Sequence, residues 1–244
     1  MMILNTKLPQ FLPKIQSLAE FNKQTLLTDS FLLETEGDLA MYYAPHNEYI
    51  NTDAKIIIVG ITPGWNQMKT AYIQLVKSIS KGESLEKMLE NTKIAASFSG
   101  TMRKNLIVML DKIGLPETLA IDSSEQLFST YRSFLHTTSI IKYPVFYKGK
   151  NYTGHTPTID QSKLLKRYAY EVFPIELAQI TDPALVIPLG KATEKVIHTV
   201  QNKNEQHIYL YGFPHPSGAN GHREKQFKLN QKQLEDKFKI WRNS

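Results

Sequence analysis

The sequence contains no cysteine, which excludes disulfides, thiolate-bound zinc and cysteine-held iron–sulfur clusters. It also lacks any apolar run near the roughly 20 residues needed to cross a bilayer as a helix. The opening MMILNTKLPQ has one Lys and too short an apolar stretch for a secretory leader, so a cytoplasmic protein with no membrane partner is expected. Two nucleotide signatures are missing too. GITPGWNQ is neither a Gly-x-Gly-x-x-Gly dinucleotide turn nor a Gly-Lys-Ser/Thr phosphate loop. No internal repeat occurs, and no metal or cofactor is expected.

What is present is a 244-residue chain, a length at which an α/β protein commonly folds as one domain. Residues 1–244 are expected to form that domain, with 1–54 as a helical extension and loop packed on it. The formal charge of +6 and pI near 9.2 favour a polyanionic partner such as nucleic acid. The bland alternative for each cluster of Lys and Arg is a solvated helix face.

Strands and helices alternate along the chain. Phe11, Ile15, Leu18, Phe21 and Leu26 keep helical spacing and predict a leading helix over 9–27. A first buried strand is predicted at 55–60, a helix over 70–80, a flexible or helical stretch after it, and a helix over 101–113 stopped by GLP. FLHTTSIIKYP reads as a second buried strand ending at Tyr143, and FYKGKNYTGHTPTID as a long polar connection. A helix over 161–180, a strand in ALVIPLG, a helix in KATEKVIHTV, a strand in HIYLYGFP and a basic helix over 226–241 complete the reading. This order implies an α/β fold: a three-layer α/β/α arrangement around a mostly parallel four-stranded sheet. Ligands in such sheets gather at the carboxyl ends of the strands.

Those strand ends carry GITPG, TTSIIK, VIPLGKAT and HPSGAN, with FSGTMRKNLIVMLDKIGL between the first two. Five motifs in this order resemble the uracil-DNA glycosylase superfamily, from about Lys55 to the C-terminus. The resemblance implies a metal-independent, monofunctional DNA glycosylase, a monomer whose partner is duplex or single-stranded DNA containing a modified base. It flips that base into a pocket and leaves an abasic site. Implied base contacts are Gly60, Ile61, Pro63, Gly64, Trp65, Phe98 as a stacking ring, and Ser139. His215 would donate to the departing base, and Thr62 would hold a water. Lys142, Lys191, Ser217, Asn220, His222 and Arg223 would meet phosphates. The plainer readings are a core Phe at 98 and a structural His at 215.

Two departures bear on the substrate. Where many relatives place an acidic or amide residue in the first motif, this chain has Ile61 and Thr62, so an acid would have to come from elsewhere, with Glu48, Asp53 and Asp160 as candidates. Where relatives read uracil with Asn, this chain has Ser139, which offers one donor rather than a matched amide pair. Gly64 replaces a Tyr that excludes 5-substituents in uracil-specific relatives, and a glycine is expected to leave an open volume there. Together these favour a larger, modified pyrimidine, in repair or in defence against phage DNA. The alternatives are a uracil or mismatch repair glycosylase, a catalytically degenerate DNA-binding protein on the same fold, and an unrelated nucleotide-handling α/β enzyme.

Overall fold

The computed structural model describes residues 6–242; half of the N-terminal stretch read above for a leader, residues 1–5, lies outside them. In chain order the helices are α1 (Leu8–Gln16), α2 (Lys23–Leu26), α3 (Trp65–Ser80), α4 (Leu85–Ala96), α5 (Thr101–Lys112), α6 (Leu115–Leu119), α7 (Lys163–Arg167), α8 (Phe173–Leu177), α9 (Lys191–Val200) and α10 (Arg223–Arg242). The strands are β1 (Leu32–Glu36), β2 (Leu39–Tyr42), β3 (Ile56–Gly60), β4 (Leu135–Ser139), β5 (Val145–Tyr147), β6 (Lys150–Asn151), β7 (Leu185–Pro188) and β8 (Ile208–Tyr209). The chain divides into two compact units, one of residues 1–50, 62–99 and 139–173, the other of residues 51–61, 100–138 and 174–244.

The second unit holds the four-stranded sheet, in the order β4-β3-β7-β8. β3 and β7 run parallel with Ile56 opposite Leu185 and Val59 opposite Pro188, and β7 pairs β8 in the same sense. Every residue of β3, β4 and β7 is buried. Continuous apolar runs such as IIIV and LVI are what a parallel strand covered on both faces requires, and an alternating pattern would leave one face wet. The class is α/β, consistent with the three-layer α/β/α arrangement expected. β4 stops at Ser139 rather than Tyr143, and β8 pairs over two residues only, because the next donor on β7 would be Pro188, which has no N–H. On β4, Glu176 accepts from Thr138 Oγ1 at 2.5 Å and lies 3.3 Å from His136 Nε2.

The first unit contains a sheet that the sequence reading missed: β1-β2-β5-β6, antiparallel throughout. The first 54 residues are therefore not only helix and loop. β1 and β2 form a hairpin across Gly37 and Asp38. The supposed polar connection after Tyr143 forms a second hairpin, with Lys148 and Gly149 both at positive φ between the paired Tyr147 and Lys150. A two-residue turn with both centres left-handed matches strand twist, but Lys in its first position is an unusual choice and gives no sequence signal. The leading helix is broken into α1 and α2, with Asn22 capping the latter by accepting from Thr25 N–H. The stretch before Phe98 is helical, as α4. Over 161–180 the helix widens to a π turn at Tyr168–Val172. Pro174, just beyond, has no N–H for the carbonyl four residues back.

The first unit also buries polar side chains. His46 is 1% exposed and both its ring nitrogens lack a hydrogen-bond partner among the described residues. Burial first, and the Lys93 ammonium second, push its pKa from 6.5 down to about 3. The unfolded chain therefore takes up a proton below its ordinary pKa while the native imidazole stays neutral. The contribution is complete above pH 6.5 and is lost progressively as pH falls towards 3. Between pH 6.5 and 4.5 the expected loss is about 2–3 kcal/mol, at ~1.4 kcal/mol per unit. Urea unfolding of the wild type and His46→Leu at pH 7, 5.5 and 4.5 should show a shallower acid dependence in the variant. Equal dependence in both would assign acid sensitivity to other groups.

Candidate active site

The sequence-predicted residues divide between the two units. Thr62, Pro63, Gly64, Trp65, Phe98, Ser139 and Lys142 belong to the first, and Gly60, Ile61, Lys191, His215, Ser217, Asn220, His222 and Arg223 to the second.

In the first unit, Thr62 Oγ1 donates to Tyr143 O at 2.9 Å and accepts from Val145 N at 3.2 Å. Its hydroxyl proton is committed to the backbone, so the side chain fastens the turn before α3 to the start of β5. Gly64 is the N-cap of α3 and has no side chain to satisfy the first helical N–H groups. That task falls to Asn151 on β6, whose Oδ1 accepts from Trp65 N at 3.0 Å. A Cβ built on Gly64 would sit 3.4 Å from Asn151 Nδ2. The space beside Gly64 is thus faced by an amide, not left open as expected. A Tyr at position 64 would have to share that space with Asn151.

Phe98 is 5% exposed and has φ +48°. A bulky aromatic residue in the left-handed region is uncommon and persists only where its surroundings hold it. Ser139 is also 5% exposed. Lys142 offers its carbonyl to Asn47 Nδ2 at 3.0 Å, and Asn47 Oδ1 in turn accepts from Lys93 Nζ at 2.9 Å.

None of the three carboxylate candidates stands as an unengaged base. Glu48 is 5% exposed and accepts four hydrogen bonds, from Thr6 Oγ1, Lys7 N, Tyr43 Oη and Tyr143 Oη, at 2.6–3.0 Å. Both oxygens carry two donors, which uses the carboxylate's four acceptor sites. Asp160 is exposed and accepts from Tyr170 Oη at 2.8 Å. Asp53, in the second unit, is exposed and accepts from Thr52 Oγ1 at 3.2 Å.

In the second unit, the HPSGAN loop is cross-tied. His215 Nδ1 accepts from Ser217 N at 3.2 Å. An accepting Nδ1 places the proton of the neutral ring on Nε2. Asn220 Nδ2 donates to His215 O at 3.1 Å, while its Oδ1 accepts from His222 N at 3.2 Å. Asn105 on α5 donates to Pro216 O at 2.8 Å, and Arg223 Nη1 to Ser217 O at 3.3 Å. Gly190, ahead of α9, has φ +85°, and a Cβ there would lie 3.2 Å from His215 Cβ. Only glycine satisfies both constraints, so the turn after β7 is shaped to receive the histidine. Lys191 and His222 are exposed.

Motif order agrees with what comparison finds. A family model described as the uracil DNA glycosylase superfamily matches residues 48–242. The chain belongs to the uracil DNA glycosylase superfamily. It is also similar to "Uncharacterized protein YoxB" of Bacillus subtilis (strain 168), with 54% identity over 238 residues, covering 96% of this chain and 93% of that protein. No solved structure matches. Uracil DNA glycosylase superfamily members are hydrolytic glycosylases that bind DNA, so membership suggests DNA glycosylase activity in DNA repair. Among the described residues no helix is long and apolar enough to cross a membrane.

Three residues that contact these candidates were not singled out from sequence. Gly190 lay within a quoted motif, so its spacing could have found it. Asn105 sits in the α5 motif without any mark of its own. Asn151 had no signal, because only the β5–β6 register brings it to Gly64.

Proposed function

We propose that the protein is a monofunctional DNA glycosylase that removes a modified or damaged pyrimidine by hydrolysing its N-glycosidic bond, leaving an abasic site. The carrying observation is His215, whose Nδ1 accepts from Ser217 N–H at 3.2 Å and whose proton therefore sits on Nε2. When the C1′–N1 bond breaks, its electron pair leaves with the base, and an Nε2–H donor aimed at a base carbonyl is worth more as negative charge develops there. The sugar becomes oxocarbenium-like and is captured by water. With no carboxylate at Ile61 or Thr62, leaving-group stabilisation bears most of the barrier reduction. Thr62 acts as a positioning residue, holding the turn that approaches the base. Phe98 stacks on the base and Ser139 contributes one polar contact. Gly60, Ile61, Pro63 and Trp65 complete the base-facing turn.

Ser217 Oγ accepts from Ala219 N at 3.2 Å, which leaves its own proton for a phosphate. Lys142, Lys191, His222 and Arg223 add charge or donors to the DNA backbone, and Asn220 holds the loop. In this reading residues 1–244 act as one functional domain, a cytoplasmic monomer working on duplex or single-stranded DNA. One feature supports an enlarged base: a cavity of about 330 Å3 on the second hairpin is lined by Tyr147, Lys150, Asn151, Tyr152 and Thr156. Its hydroxyl, amide and ammonium groups suit a polar substituent. Repair and defence against phage DNA with modified bases are the two settings such an activity serves.

The deciding experiment incubates the protein with duplexes and single strands containing uracil, 5-substituted uracils or 5-substituted cytosines, then cleaves abasic sites with alkali and detects the released base by mass. Release of a 5-substituted base in preference to uracil supports the reading. Preferential release of uracil would favour the uracil or mismatch repair glycosylase. A second reading, a DNA-binding protein without chemistry, is favoured by the committed Thr62 hydroxyl and the absent carboxylate; tight binding with no release from any substrate would establish it.

A further inference from the structure

We propose that Asn151 is a specificity-determining residue: its Nδ2 amide, held beside Gly64, donates to the 4-oxo group of the bound base and selects 4-oxo over 4-amino pyrimidines. The inference rests on the glycosylase reading and names the substrate class of that same site. It starts from the orientation of the amide. Trp65 N–H can only donate, so the atom facing it at 3.0 Å must be Oδ1. Nδ2 is then the other end, and it is the atom nearest the missing Gly64 side chain, at 3.4 Å from a built Cβ. No partner for Nδ2 occurs among the described residues, although the cap bond and the β5–β6 pairing hold the group in place.

The position beside Gly64 is the one where a larger residue would exclude a 5-substituent. Ring positions 4 and 5 are adjacent, so a donor there is within reach of the 4-substituent. An amide N–H pairs with the carbonyl of uracil- or thymine-type bases and meets another donor in cytosine-type bases. Asn151 is exposed in the free protein, so it is the bound base that covers the amide, and a covered donor facing a 4-amino group is left unpaired. Ser139 offers a single hydroxyl and cannot make this distinction alone, because a hydroxyl donates or accepts by rotating.

Asn151 has a structural duty as well, as the cap of α3, and the test must separate the two. Asn151→Asp keeps the accepting oxygen and adds negative charge at a helix N-terminus, where it is favourable, but removes the donor. Binding is measured by fluorescence anisotropy on duplexes carrying 2′-fluoro uracil or cytosine nucleotides, which resist hydrolysis, or a stable abasic analogue. Each is placed opposite a non-pairing spacer so that extrusion costs are matched.

The wild type is expected to bind the uracil duplex more tightly than the cytosine duplex. Asn151→Asp should lower that ratio by about tenfold, the scale of one hydrogen bond, with the melting midpoint and abasic-analogue affinity retained. An unchanged ratio in Asn151→Asp, or no preference in the wild type, overturns the inference. So does an Asn151→Ala variant that loses stability and weakens on both duplexes alike, its ratio staying at the wild-type value, because Asn151 is then only a cap. If the wild type releases no base from cleavable substrates yet its binding ratio collapses in Asn151→Asp, the glycosylase reading fails and the assignment of Asn151 stands.

Discussion

His215→Ala is expected to slow single-turnover base release by about 10²–10³-fold, the effect of removing one donor from a developing anion, while binding of a duplex with a stable abasic analogue stays within about twofold of wild type, the energetic scale of a rim contact rather than a buried anchor. The asymmetry follows from when the interaction is made. In the ground state the base is neutral and a hydrogen bond from Nε2 is worth little more than one from water. As the glycosidic electron pair moves onto the base, the same donor faces a growing charge. Interactions that strengthen only in the transition state raise the rate without tightening substrate binding. The ring's tautomer is part of the argument. Ser217 N–H points at Nδ1 from 3.2 Å, and a mutation that unties this loop, such as Gly190→Val, should share the catalytic defect because a Cβ at 190 would press on His215 at 3.2 Å. Wild-type release in His215→Ala would remove the residue from the chemistry and leave the binding-protein reading as the better account.

How far the sequence could lead depended on how local the determining interactions are. β3 and β7 were legible because burial on both faces of a parallel strand imposes a continuous apolar run, here within strands of five and four residues. The antiparallel sheet was not. LLETE in β1 has no clean alternation, since its Glu36 serves another element by accepting from Ser162 Oγ and the N–H groups of Lys163 and Leu164. The hairpin at Lys148 and Gly149 lacks the usual Asn-Gly or Asp-Gly pair. Gly64 and His215 could be picked out as candidates because the motifs that hold them are short stretches. What surrounds them could not. Asn151 reaches Trp65 N–H across 86 positions, Thr62 is spent on Tyr143 O across 81, and neither pairing leaves a trace in composition or spacing. An acidic residue is visible in a sequence; whether its oxygens are already occupied is not.

Glu48 shows what that difference predicts. Glu48→Ala is expected to lose about 3–5 kcal/mol of stability, because two buried tyrosine hydroxyls and a backbone N–H are left without their acceptor at ~1–3 kcal/mol each, partly offset by local relaxation. Tyr43 is fully buried and Tyr143 is 4% exposed, so water cannot easily replace the carboxylate. A loss of that size consumes much of the ~5–15 kcal/mol by which a domain is stable. Its effect on activity would therefore mix unfolding with chemistry, and Glu48→Gln separates them. The amide keeps one accepting oxygen, and its N–H groups can donate to hydroxyls that rotate to accept, so the expected cost falls to about 1–2 kcal/mol. Chemical denaturation gives the stability of each variant, and single-turnover release per folded molecule gives the chemistry. With all four acceptor sites of the native carboxylate taken, Glu48 has no lone pair to orient a water, and Glu48→Gln should release base within about twofold of wild type, far from the ~10²–10⁴ a lost general base would cost. A Gln variant that keeps its melting midpoint but slows release by ~10² or more would instead make Glu48 the carboxylate that the first motif lacks, and the burden placed on His215 would have to be shared.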